Sequence, residues 1–258
     1  MLDELKCREK FIEYVNRFDK SNRLISLKFE HTFRVADISK DIAKSLGLDE
    51  EQIKLAYIIG ILHDIGRFKQ ATENNCYSDK QGIGHAKMGD IILFEENMIE
   101  EFVDIRIYDD VIRTSIRNHS KFEIEDGLTE EELLFSKIIR DADKLDIFNI
   151  FTFDDLLEVA KGSGFSDSDE VTDVVLDAFF KGKQVPRKEH KYLLDWYINM
   201  IGFVFDLNFK RSFEVLKNEN YINRCIDKLR EIKSDKPEIL SLMDKVQVFM
   251  EEYINNRI

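Results

Sequence analysis

The stretch GILHDIGRF, residues 60–68, places a histidine and an aspartate side by side at the end of an apolar run. Asp49 opens a capping-box pattern (Asp-x-x-Gln), which predicts a helix leading into His63 and Asp64, and Gly66 predicts its end. Neighbouring residues of a helix project roughly 100° apart. These two side chains can therefore approach adjacent ions only at the end of the helix. Because Asp64 has two carboxylate oxygens, it is predicted to bridge two metal ions roughly 3.5–4 Å apart.

Four of the 5 histidines lie in the first half of the chain, at His31, His63, His85 and His119. Each is spaced in helical steps from apolar residues, as is Asp143, which is predicted to be the best buried acid of its helix. A single inward histidine is more often a core residue bonded to a carbonyl. Four buried imidazoles and two buried acids are costly unless they share a partner. Because imidazole and carboxylate suit iron, manganese or zinc, the set predicts a metal-dependent hydrolase.

Chain breakers are scarce, since the 258 residues include 11 Gly and 2 Pro. Abundant Leu, Ile, Lys and Glu favour helix, and no stretch alternates regularly between apolar and polar residues as a half-buried strand does. We therefore predict an all-α fold organised as a single helical domain over residues 1–258. The Gly/Ser break at 162–168 is weak evidence for a boundary.

Periodicity and capping signals predict the extents of the individual helices. They are expected at residues 2–18, 29–46, 49–64, 85–95, 108–119, 129–150, 154–161, 169–180, 188–216 and 236–258. The polar residues 69–84 between two of these helices are predicted to form a loop, and such long excursions are often functional. His190 lies among charged residues and is predicted at the surface.

The formal net charge of −13 argues against general nucleic-acid binding, which usually requires a basic surface. It is compatible with a small phosphorylated substrate, because bound metal ions invert the local field. The 3 cysteines have no ligand-like spacing, and with no signal peptide they predict a reducing, cytoplasmic location. No apolar run approaches the roughly 20 residues of a membrane span, so no membrane association is expected.

Three basic residues next to the histidines and acids are the candidates for binding phosphate. Arg67 follows the His63-Asp64 pair, Lys121 follows His119, and Lys144 is adjacent to Asp143. Arginine or lysine beside a pair of metal ions can neutralise phosphate oxygens as charge builds in the transition state.

Several separated segments resemble the HD-domain superfamily of metal-dependent phosphohydrolases, named for its His-Asp pair. They are FEHTFRVADIS with His31, GILHDIGRF with His63 and Asp64, and IIRDADKLDIF with Asp143. The segments GHAKMGD with His85 and IRNHSKF with His119 resemble the members that hold a second metal. The resemblance covers residues 25–150. It implies a helical bundle with the metals at its centre, to which residues 151–258 add a C-terminal helical extension.

The resemblance also implies how the ligands divide. One ion would be held by His31, His63, Asp64 and Asp143, and the other by Asp64, His85 and His119. The implied cofactors are two divalent ions, with Fe, Mn, Zn, Ni, Co and Mg all open. Relatives that cleave cyclic dinucleotides often have lysine where this chain has Arg67. Their Gly-Tyr-Pro signature and paired histidines are missing here, so a nucleotide or another small phosphoester is the expected substrate.

The function predicted from these residues is hydrolysis of a phosphoester by metal-activated water. Asp64 and Arg67 are the expected catalytic residues, and Arg67, Lys121 and Lys144 are expected to bind substrate. Two alternatives stay open: a di-iron oxygenase, which some members with the same six ligands are, and a non-catalytic, metal-stabilised regulatory protein. The expected partners are a small phosphorylated substrate and a second copy of the chain in a homodimer, with the oligomeric state left open.

Overall fold

The structure, a computed structural model, describes residues 1–74, 83–153, 165–166 and 168–258. These residues form helices joined by short connections, and within them no strand occurs. The one β-type pairing among them is an isolated bridge between Ser166 and Tyr192. The all-α prediction is confirmed.

The first of two compact units spans Met1–Asp146. Its helices are α1 (Glu4–Val15), α2 (Arg23–Ser45), α3 (Glu50–Leu62), α4 (Ile65–Asn74), α5 (His85–Asp90), α6 (Ile99–Phe102), α7 (Asp109–Asn118) and the start of α8 (Glu130–Phe153). A π-helical turn, Ile91–Glu95, continues α5, and a 3₁₀ turn, Arg106–Tyr108, leads into α7.

The second unit spans Ile147–Ile258. After the end of α8 it contains α9 (Asp173–Phe179), α10 (Leu193–Ile201), α11 (Lys210–Asn218), α12 (Tyr221–Ile232) and α13 (Pro237–Asn255). Short 3₁₀ turns occur at Arg187–Glu189 and Gly202–Asp206. The organisation of the whole chain as a single domain stays a prediction.

Two helix starts follow their capping signals. The Asp49 side chain accepts a hydrogen bond from the backbone N–H of Gln52 at 2.8 Å, and the Gln52 side chain accepts one from the Asp49 N–H at 3.2 Å. At the start of α8, Thr129 and Glu132 exchange the same pair of bonds, at 2.8 and 3.2 Å. The capping box predicted at Asp49 is confirmed, and each of the two boxes satisfies N–H groups that a helix start leaves without a partner.

Gly66 does not end a helix, contrary to the prediction. α3 stops at Leu62, and α4 begins at Ile65 and includes Gly66. A Cβ on Gly66 would lie 2.3 Å from the carbonyl oxygen of His85 and 2.6 Å from the backbone nitrogen of Gly89. The glycine therefore permits close contact between α4 and α5. Because α4 continues to Asn74, the predicted loop at 69–84 is wrong in its first part, and residues 75–82 lie outside the described residues.

A second glycine brings α2 and α3 together. A Cβ on Gly60 would lie 2.5 Å from the Cα of Ala36, so the two backbones approach more closely than any larger residue allows. This close packing holds His31 of α2 next to His63 at the end of α3, where their ring centroids are 5.3 Å apart.

Three expectations for the C-terminal unit are wrong. The predicted helix 188–216 is divided into α10, a 3₁₀ turn and α11, because Asp195 accepts backbone N–H bonds from residues 191 and 192 and so starts α10 at Leu193. α12 was not predicted, although its buried residues follow helical spacing. His190 is buried rather than on the surface, with its ring 5.8 Å from that of Phe165. The predicted helix 154–161 lies outside the described residues.

None of the helices in the described part of the chain is both long enough and apolar enough to span a membrane.

Candidate metal centre

Helix ends and the interiors of two helices supply the side chains of the site. His63 and His119 directly follow the last residues of α3 and α7 as their C-caps. His85 is the first residue of α5, and Asp64 lies between α3 and α4. His31 and Asp143 lie within α2 and α8. The structure brings all six side chains that were predicted as ligands into one buried cluster.

Oδ2 of Asp64 belongs to the first group of ligand atoms. It lies 3.6 Å from Nε2 of His31 and 3.5 Å from Nε2 of His63. Oδ1 of Asp143 lies 3.1 and 3.8 Å from the same two nitrogens. Ligand atoms from His31, His63 and Asp64 lie within 4.8 Å of one another, which is close enough to contact one ion.

Oδ1 of Asp64 belongs to a second group. It lies 3.6 Å from Nε2 of His85 and 3.6 Å from Nε2 of His119. The two imidazole nitrogens are 3.0 Å apart. Ligand atoms from these three residues again lie within 4.8 Å of one another. Asp64 is therefore shared, with one oxygen in each group.

Hydrogen bonds to the opposite ring nitrogens orient three of the imidazoles. Nδ1 of His63 lies 2.7 Å from the carbonyl oxygen of Gly60, and Nδ1 of His119 lies 2.6 Å from that of Ile116. Nδ1 of His31 lies 2.6 Å from a carboxylate oxygen of Asp146. Because a carbonyl or carboxylate oxygen only accepts, each Nδ1 carries a proton, which leaves Nε2 of each ring as the atom directed into the cluster.

This arrangement fits metal ions better than it fits a closed polar core. Nε2 of His63 and Oδ1 of Asp64 are buried and have no hydrogen-bond partner. Lone pairs that face each other over 3–4 Å repel unless a proton or a cation lies between them, and an unsatisfied buried acceptor costs about 1–3 kcal/mol. The donor set of imidazole nitrogen and carboxylate oxygen is one that divalent transition metals accept, with the orienting bonds to Nδ1 that such sites use.

Basic groups around the cluster keep its acids ionised. Nζ of Lys28 lies 2.6 Å from Oδ2 of Asp64, and Nε of Arg67 lies 3.6 Å from Oδ1. Burial would raise the pKa of Asp64, but Lys28 and His63 outweigh it and hold that pKa well below its usual range. For Asp143, burial is likewise outweighed by His31, and the pKa is lowered. Both carboxylates are therefore ready to bind cations at neutral pH.

The structure reveals two residues of this site that the sequence did not indicate as such. Lys28 precedes His31 by three residues on one helix and thus shares its face, but a lysine on a helix is ordinarily solvated and gives no local signal of a site. Asp146 was judged less buried than Asp143. The reverse holds: the Asp146 side chain is 1% exposed and that of Asp143 is 14% exposed. Periodicity misranked them because α8 is buried on more than one face; Arg34 and His31 both bond to Asp146.

The three predicted phosphate-binding residues lie in different surroundings. Arg67 is next to Asp64, donates to Gln70 at 2.8 Å and has a side chain 14% exposed. Lys144 is buried on α8 beside Asp143. Lys121 is more exposed, at 39% of its side chain, and forms an ion pair with Glu125. The structure thus brings Arg67 into contact with the cluster, and it shows no such contact for Lys121.

Comparison with known proteins adds one positive finding. Residues 29–147 match a family model described as HD domain. This range contains His31, the His63-Asp64 pair, His85, His119 and Asp143, which is the whole cluster. No curated protein and no solved structure matches the chain.

Proposed function

We propose, on the match of residues 29–147 to the HD-domain family, that this chain is a metal-dependent phosphohydrolase. The reaction is the cleavage of a phosphoester in a small phosphorylated metabolite such as a nucleotide. One observation carries the proposal: two groups of ligand atoms, each within 4.8 Å, share the two oxygens of Asp64. In two-metal hydrolases a pair of ions about 3.5–4 Å apart clamps the attacking and leaving oxygens of a phosphoryl centre.

The ligands divide between two ions in this proposal. His31, His63, Asp143 and Oδ2 of Asp64 would hold one, and His85, His119 and Oδ1 of Asp64 would hold the other. When bound, divalent ions supply a water of lowered pKa and polarise the phosphoryl oxygens. The protein's share of catalysis is to fix those positions, because a rigid ligand set needs no rearrangement as charge develops.

Arg67 is the residue proposed to face the phosphoryl group. Its guanidinium lies beside Oδ1 of Asp64, and its side chain is 14% exposed, so part of it reaches the surface of the site. A planar guanidinium donates two parallel hydrogen bonds to phosphate oxygens. In this position it offsets the negative charge that grows during cleavage. Lys144, next to Asp143, is the proposed second contact of the substrate, whereas the exposed Lys121 would contact only a group that extends outwards.

The test combines metal analysis with a substrate panel. Protein purified without oxygen is analysed for metals, then supplied with Mn²⁺ and assayed for phosphate release from nucleotides and simple phosphoesters. We expect two ions per chain and turnover in the absence of oxygen. Asp64→Ala should lose both ions together with turnover, because each group loses the oxygen that Asp64 contributes to it. Asp37→Ala, which removes an exposed acid of α2, is the matched control and should behave as wild type.

Three results would contradict the proposal, each in a distinct way. Turnover that requires both iron and dioxygen would identify an oxygenase. Two bound ions without turnover of any phosphoester would favour a regulatory protein. An Asp64→Ala protein with full metal content would show that the carboxylate is not shared.

A further inference from the structure

Lys28 has a position that the proposed ligand set does not explain. Its Nζ lies 2.6 Å from Oδ2 of Asp64, the oxygen that also faces His31 and His63. The Lys28 side chain is 14% exposed and that of Asp64 is 3% exposed. A cation therefore already occupies one side of the shared carboxylate, at a distance at which an ammonium and a metal ion exclude each other.

The Lys28 ammonium and a divalent metal ion compete for Oδ2 of Asp64 because both are positively charged. A divalent ion at Oδ2 repels an ammonium a few ångströms away, and the repulsion is strong because the surroundings are buried. Arg67 does not compete in the same way, since its Nε is 3.6 Å from the other oxygen. Binding of an ion at the group of His31 and His63 must therefore move the Lys28 ammonium away from Asp64.

The displaced ammonium still needs an anion, because an unpaired charge in a site this enclosed is costly. Lys28 precedes His31 by one helical turn on α2, so its flexible side chain stays anchored beside the cluster. A phosphoryl group placed between the ions would bring anionic oxygens to this place. The side chain is partly exposed, so a group that comes from solvent can reach it.

We propose that Lys28 is an exchangeable counter-ion of Asp64: an incoming divalent ion displaces its ammonium, which then binds an anionic oxygen of the substrate. This rests on the proposed function and adds a residue that sets both the affinity for the ion and the affinity for the phosphoryl group. The two effects have opposite signs. Lys28 weakens ion binding and strengthens phosphate binding, a combination that a residue serving only to hold Asp64 in place cannot produce.

The variant Lys28→Met removes the charge and keeps the length of the side chain. Calorimetric titration with Mn²⁺ should show that this variant binds one ion at least tenfold more tightly than the wild type does. Titration of the Mn²⁺-loaded protein with inorganic phosphate should show binding about tenfold weaker, the factor expected for loss of one charge-assisted hydrogen bond. Lys28→Arg should recover most of the phosphate affinity. Lys44→Met, which removes an exposed lysine near the end of the same helix, is the matched control and should change neither affinity.

A second measurement uses the unaltered protein and does not depend on the folding of a variant. Amine acetylation followed by mass spectrometry reports the reactivity of each lysine. Reactivity of Lys28 should increase when Mn²⁺ is added and decrease again when phosphate follows, whereas Lys44 should stay constant.

The outcomes separate the two proposals. Equal or weaker Mn²⁺ binding by Lys28→Met, or no change in Lys28 reactivity on loading, overturns the exchange while the proposed function stands. Tighter Mn²⁺ binding with unchanged phosphate affinity overturns the role in substrate binding. Failure of the wild-type protein to bind Mn²⁺ or any other divalent ion refutes the proposed function, and the exchange with it.

Discussion

Gly66→Ala is the substitution whose effect follows most directly from the packing around the site. The added Cβ would lie 2.3 Å from the carbonyl oxygen of His85 and 2.6 Å from the backbone nitrogen of Gly89. Both atoms belong to the backbone of α5, so no side chain can rotate away from the clash. Ordinary contact begins at 3.4 Å, and α4 and α5 must therefore separate by roughly 1 Å.

That displacement is large for a metal ligand and moderate for a helix pair. Ligand distances in metal sites vary by about ±0.2 Å, so a shift several times larger removes His85 from the group formed with His119 and Asp64. The group of His31, His63 and Asp143 does not involve α5. Overpacking of this kind costs roughly 1–3 kcal/mol, which lowers the melting temperature of a chain this long by roughly 2–12 °C.

The assay is metal content per chain together with thermal unfolding. We expect Gly66→Ala to fold, to melt at a lower temperature and to retain one ion where the wild type retains two. Gly89→Ala is the matched control on the same helix contact, since a Cβ there would lie 3.4 Å or more from its neighbours, and it should keep both ions. A Gly66→Ala protein with two tightly bound ions would refute this account of how α5 positions His85.

Two further substitutions test the surroundings of the site and the second unit. Asp146→Asn removes the carboxylate that orients His31 at 2.6 Å; ion affinity should fall about 10–100-fold, measured by calorimetry, and an unchanged affinity would mean that the ring keeps its position without the charge of Asp146. Asp195 accepts three backbone N–H bonds at 2.6–3.0 Å. Burial would raise the pKa of Asp195, but these hydrogen bonds outweigh it and lower that pKa. The charged carboxylate therefore stabilises the fold fully above the unfolded pKa of about 3.9, and this stabilisation is lost as the pH falls. Asp195→Asn should therefore be less stable at pH 7 by on the order of 2 kcal/mol, with a deficit in urea unfolding that narrows below about pH 4; a deficit constant with pH would contradict the role of the charge.

The sequence predicted the inward-facing residues of this site well, for a physical reason. The helical repeat places His31, His63, His85, His119 and Asp143 on apolar faces, and the all-α fold requires such faces to pack together. Helix starts were also predictable where a side chain caps its own helix, because both partners are three residues apart.

What could not be predicted depends on contacts between distant parts of the chain. Lys28 lies 36 positions from Asp64, and Asp146 lies 115 positions from His31. A charged residue on a helix is ordinarily solvated, and nothing local distinguishes one that pairs across the core. The helix end predicted at Gly66 was wrong for a related reason. Glycine can end a helix or permit close packing, and only the position of α5 decides which of these roles Gly66 has.

The hydrogen bonds to Nδ1 imply an order in which the site is completed as the chain is synthesised. His63 and His119 bond to carbonyls three residues earlier in their own helices, so their rings are set as soon as those helices form. The ring of His31 is oriented by Asp146, which is translated much later. All residues of the group of Asp64, His85 and His119 are thus translated before α8, whereas the other group needs Asp143 from α8.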